Sequence, residues 1–84
     1  MKKIDGSNWL RKPWKRMSHN EYYRYYVKRT EECEIHFNVI RTSDKCYRCT
    51  RWTKPFVPFM KSTVSILTCR SWREVEYFAD NGVA

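Results

Sequence analysis

Eighty-four residues allow one domain and leave little room for a second. Fourteen aromatic rings (4 Trp, 6 Tyr, 4 Phe) exclude a wholly disordered chain, despite a mean hydropathy of −0.81, because each large ring buries roughly 150–250 Å². The formal charge is +8 and no run approaches the roughly 18 apolar residues of a membrane-spanning helix, so the expected partners are anionic and none is a membrane.

The charge is uneven. Residues 1–29 carry nine cations against two carboxylates, a net +7, while residues 30–84 carry a net +1. Residues 1–17 hold Gly6, Pro13 and the isolated rings Trp9 and Trp14 with no period of 2 or 3.6. They read as a basic, aromatic arm preceding a compact domain over 18–84. No apolar stretch follows Lys2 and Lys3, which predicts no secretory leader, an intracellular location in cytoplasm or nucleus, and reduced thiols.

Ser18-His19-Asn20-Glu21 has the form of a capping box, and the Tyr22–Arg29 run after it reads as a short helix. Such a helix would set Tyr22, Tyr25, Tyr26 and Arg29 on one face. From Glu34 the pattern alternates, with Ile35, Phe37 and Val39 apolar, which predicts a half-buried strand. Thr42-Ser43-Asp44-Lys45 supplies turn chemistry, and Cys46–Thr53 returns antiparallel. Lys54-Pro55-Phe56-Val57-Pro58-Phe59 is excluded from a central strand by its two prolines, and its phenylalanines are expected to fold back and cap the core, with protein docking as their other use. Thr63–Cys69 reads as a third strand. Ser71-Trp72-Arg73-Glu74 is a second capping box, opening a helix that ends before Gly82 and carries Trp72, Val75, Phe78 and Ala79 on one stripe. The expected fold is α+β in the order α-β-β-β-α: a three-stranded antiparallel sheet against a C-terminal helix, with a short N-terminal helix and a basic arm.

Three features carry candidate chemistry. In the first, rings and cations interleave over Trp9, Arg11, Lys12, Trp14, Lys15 and Arg16, continuing to Arg24 and Lys28. Lys and Arg neutralise phosphates and release counterions, and exposed rings stack on bases. The second is the Cys46–Thr53 strand, whose alternate faces hold Arg48 with Trp52 and Arg51 with Tyr47; an arginine beside an aromatic on a solvent-facing strand can read nucleic acid or form a surface cation–π pair. The third is Cys46-Tyr47-Arg48-Cys49. With Cys33 and Cys69 it supplies four thiols, the number that a structural zinc site needs. A regular strand, however, splays these two thiols to opposite faces, and no second Cys-x-x-Cys or His pair accompanies them; buried structural thiols without a cofactor are the default.

Catalytic readings lack parts. The chain has two glycines, which rules out a glycine-rich phosphate loop, and two histidines without a nucleophile elbow. The expected element order is similar to that of double-stranded RNA-binding domains, and its last three strands and helix look like the three-stranded DNA-reading modules of some integrases and plant transcription factors. The last helix opens on Ser71-Trp72-Arg73-Glu74, where a double-stranded RNA-binding domain places a basic cluster. The composition therefore predicts a non-catalytic nucleic-acid-binding protein. The competing expectation is a small inhibitor or adaptor, of the kind viruses and phages use, that occupies an acidic surface of a host protein.

Overall fold

The segment expected as an N-terminal helix is extended. In the computed structural model, which describes residues 2–82, Tyr23–Arg29 is a strand (β2) lying between Lys15–His19 (β1) and Cys33–Ser43 (β3). Cys46–Pro55 (β4) and Val64–Cys69 (β5) complete a five-stranded antiparallel sheet in the order β1-β2-β3-β4-β5, and Trp72–Asn81 forms the helix α1. The expected three-stranded sheet and α-β-β-β-α order are thereby corrected. The outer ends of the expected arm and domain, Met1, Val83 and Ala84, lie outside the described residues. Among those residues no helix is long and apolar enough to cross a membrane.

The physical reason for the correction is a period of two. Along β2 the side chains alternate between half-buried Tyr23, Tyr25 and Val27 and the covered Arg24 and Tyr26, and β3 continues with buried Ile35, Phe37 and Val39 against half-buried Glu34, His36 and Asn38. Tyrosines favour pleated surfaces, and full pairing of β2 with β3, with partial pairing to β1 on its other side, outweighs one local capping signal. Asn20 makes the turn: its side-chain oxygen accepts from the Tyr22 N–H, and its own N–H donates to the Tyr23 carbonyl.

Everything that covers the sheet lies on the Phe37 side. Phe78 meets Phe37 edge-on at 5.8 Å between centroids, and Trp14 meets the same ring at 5.9 Å. Residues 2–14 therefore form no free arm: Ile4, Leu10 and Trp14 are core residues, and the Trp14 Nε1–H donates to Asp80 of α1 at 2.8 Å. Arg41 knits this segment to the β3–β4 hairpin, donating to the carbonyls of Lys3 and Asp44. The second capping box forms in a shifted version, with Glu74 reaching the residue before the N-cap Ser71. The Glu74 N–H donates to Ser71 Oγ, the Glu74 carboxylate accepts from the Arg70 N–H, and α1 stops at Gly82, whose φ of 69° suits glycine.

The turn after β4 does not cap the core. Phe59 is 86% exposed and Phe56 is about half exposed beneath the Arg29 guanidinium. With β4 extended to Pro55, the two prolines leave too little chain for these rings to turn back onto a core already filled by Trp14 and Phe78.

Candidate nucleic-acid interface

Because α1 and residues 2–14 share one side, the other side of the sheet is bare. None of its residues is fully buried, whereas their neighbours in sequence alternate into the core. The pairing register assigns this open face unambiguously. Tyr25 lies opposite Asn38, and Val27 lies opposite His36, which in turn lies opposite Trp52; Thr50 and Arg48 follow on β4, and Val64 and Ile66 on β5.

Three rings dominate the face. Tyr25, His36 and Trp52 are parallel to within 12°, with centroids 5.1–5.9 Å apart in every pairing. A column would place its outer rings at the sum of the two inner spacings, so these rings form a compact triangular cluster in which each pair is stacked and the His36 side chain is only 14% exposed. The array is held from its edges. Tyr25 Oη and His36 Nδ1 share a hydrogen bond, and Glu34 Oε1 lies 2.8 Å from His36 Nε2, though off the ring's N–H direction, so that Nε2 has no hydrogen-bond partner. Burial, and then the neighbouring Tyr23 and Glu34, push the Tyr25 phenol above its ordinary pKa of 10.0. It therefore stays neutral near pH 7 and is no activated nucleophile.

Cations surround the rings. Lys15, Arg29, Arg48 and Lys54 project from the strands on this face against the single carboxylate of Glu34. A groove of about 500 Å³ runs between Lys15, Tyr25, Arg29, Glu34 and His36. The arrangement offers phosphate contacts at the rim, ring faces for stacking in the middle, and Asn38, Thr50 and Glu34 as hydrogen-bonding groups for base edges.

The candidate residues expected from the sequence divide between the two sides. Lys15, Arg48 and Trp52 lie on the open face. Arg11, Lys12 and Arg16 are exposed and line a second groove with Trp9 on the covered side. Trp9 is half-buried with the guanidiniums of Arg16 and Arg24 at 3.9 and 3.8 Å from its ring, so its π surface is already engaged by cations. Trp14, at 5% exposure, is a core ring, and Lys28 extends its ammonium over it. Arg24, at 4% exposure, donates to the carbonyls of Asn8 and Asp5, and its burial draws the guanidinium pKa below its ordinary value. Arg51 faces α1 and donates to the Ala79 carbonyl at 3.0 Å, satisfying an orphan acceptor at the helix C-terminus. These three residues and Trp14 hold the fold together.

Tyr25 and His36 were absent from the sequence-derived set. The signal that finds them is the period-two pattern across residues 23–28, which puts Tyr25 on the same face as His36 once β2 is read as a strand.

No family model, curated protein or solved structure matches the chain.

The cysteines do not gather. Cys33 and Cys46 stand at opposite ends of the β3–β4 hairpin, about 30 Å apart for a strand of eleven residues. Cys49 and Cys69 are buried with their sulfurs 3.8 Å apart, and burial pushes both thiols above the ordinary pKa of 9.0. Among the described residues no three His, Cys, Asp or Glu side chains converge, and the four thiols weighed as a zinc set, Cys33, Cys46, Cys49 and Cys69, are not brought together.

Proposed function

We propose that the protein is a non-catalytic binder of single-stranded nucleic acid and that the bare sheet face is its contact surface. The observation that carries this reading is the parallel Tyr25–His36–Trp52 array, ringed by Lys15, Arg29, Arg48 and Lys54. Ring faces on an uncovered antiparallel sheet reward ligands whose bases are unstacked, while a duplex buries its base faces in the stack and offers phosphates and groove edges instead. The proposed contact set keeps Lys15, Arg48 and Trp52 from the sequence reading, adds Tyr25, Arg29, His36 and Lys54, and leaves out Trp14, Arg24, Lys28 and Arg51, which are engaged in the fold, and Trp9, Arg11, Lys12 and Arg16, which lie on the covered side.

The test is an anisotropy titration with labelled single-stranded and duplex oligonucleotides at two salt concentrations. Tighter binding of the single strand is expected, with affinity falling steeply as salt rises, because each neutralised phosphate contributes about −0.7 to the log–log slope. Equal binding of strand and duplex, or none at low salt, would sink the proposal. The competing class, an inhibitor or adaptor on an acidic protein surface, is favoured by one feature, the exposed Phe56 and Phe59 beside Arg29. Failure of the titration would move the search to that turn.

A further inference from the structure

Phosphate attraction gains nothing from a carboxylate, yet Glu34 stands on the open face among Lys15, Arg29, Arg48 and Lys54. Its cross-strand partners there are Arg29 on β2 and Lys54 on β4. It lines the groove of about 500 Å³ together with Lys15, Tyr25, Val27, Arg29 and His36, a volume within the range of small-ligand sites.

The fold does not use up this carboxylate. Its side chain is 26% exposed, so most of it is withdrawn from water. Oε2 lies 3.7 Å from Arg29 Nε, too far for a hydrogen bond, and Oε1 lies 2.8 Å from His36 Nε2 but off that ring's N–H direction. The ion pair with Arg29 is weak because the guanidinium is 71% exposed, which also leaves Arg29 free to turn to a phosphate. A half-covered carboxylate without a donor is unfavourable, and a ligand that supplies N–H groups relieves it.

A carboxylate accepts hydrogen bonds and cannot donate them, so it sorts bases by the edges they present. Guanine alone among the common bases sets two donors side by side, N1–H and the N2 amino group, which match the two oxygens of one carboxylate. Cytosine and adenine each set a single amino donor beside a ring nitrogen that accepts. Thymine and uracil set N3–H between two carbonyls that repel the charge. In a single strand these edges are open, whereas pairing covers them in a duplex.

We infer that Glu34 is the specificity-determining residue of the open face and selects guanine, accepting from its N1–H and N2 amino group while Lys15 and Arg29 hold flanking phosphates. This selectivity rests on the single-strand binding proposed above and adds the base that is read. Tyr25 lines the same groove, so stacking and edge recognition lie within reach of one nucleotide. The surrounding cations offset repulsion between Glu34 and the strand's own phosphates.

The test is anisotropy at constant salt with short thymine strands that carry one central guanine, adenine or hypoxanthine, beside the all-thymine strand. Wild type should bind the guanine strand about 10-fold more tightly than the all-thymine strand, as expected for one bidentate pair. Hypoxanthine keeps N1–H but lacks the N2 amino group, and adenine keeps a purine stacking face with a single donor, so both should fall between the two. Glu34→Gln should erase the guanine advantage while thymine binding holds or tightens, because a negative charge beside the phosphates is gone. General damage to the surface cannot produce that crossover. Glu34→Asp keeps the charge but draws the oxygens back, and it should erase the advantage too; it decides the matter if the glutamine variant does not fold. Equal wild-type affinity for guanine and thymine strands would overturn the selectivity while leaving single-strand binding intact, as would a guanine advantage that survives both substitutions. Absence of binding to every strand would overturn the binding itself and the selectivity with it.

Discussion

Phe37→Ala is expected to lower the free energy of unfolding by about 3–5 kcal/mol, the range for emptying a well-packed aromatic site. Phe37 is fully buried at the centre of β3, and it is where the two covering elements meet: Trp14 from the N-terminal segment on one side and Phe78 from α1 on the other. Removing the ring leaves a cavity that neither neighbour can fill, because Trp14 is tethered to Asp80 and Phe78 is fixed by the helix. For a chain of this length the total stability is about 4–13 kcal/mol, so the variant should be largely unfolded in low denaturant. Phe59→Ala is the matched comparison: its ring is solvent-exposed, and the change should stay within about 0.5 kcal/mol. Urea titrations followed by tryptophan fluorescence measure both. A loss below about 1 kcal/mol for Phe37→Ala would mean that the N-terminal segment and α1 do not share one core.

Trp52→Ala should weaken single-strand binding about 5- to 150-fold at constant salt, corresponding to about 1–3 kcal/mol for one stacked base. Trp52 presents the largest ring of the open-face array and is only half-buried, so a base can reach it without moving the sheet. The salt dependence should not change, because no charge is removed. Arg48→Ala should do the reverse, with a smaller loss of affinity and a shallower salt slope. The neighbouring strands keep their ladders in both variants, and an unchanged circular dichroism spectrum would show that binding rather than folding is lost. Equal titrations for wild type and Trp52→Ala would remove the aromatic array from the binding account.

Much of the β3-to-α1 half is legible in the sequence. Alternation at Ile35, Phe37 and Val39, turn residues at 42–45 and the Ser71/Glu74 box are local signals, and local signals decided those elements. The same reading placed Arg48 and Trp52 together on one face of β4, where the register puts them. Residues 18–29 misled because Ser18 and Glu21 imitate a capping box, while the pairing that makes β2 a strand comes from partners as distant as Ile40. That error also hid the site. On a helix Tyr25 falls beside Tyr22 and Tyr26; on β2 it falls beside His36 and Trp52. The N-terminal segment was opaque for a different reason. Ile4, Leu10 and Trp14 reach the core from irregular backbone, where no period announces burial, so Trp14 looked like an available ring although it is a core one.

The position of the binding surface is the central claim, and a two-dimensional amide NMR titration with a short single-stranded oligonucleotide tests it most directly. The account predicts that the largest shift changes fall on the open face, around Tyr25, His36, Asn38, Thr50 and Trp52, with small changes along residues 4–14 and α1. Changes concentrated instead on Trp9, Arg11, Lys12 and Arg16, on the covered side of the sheet, would contradict it.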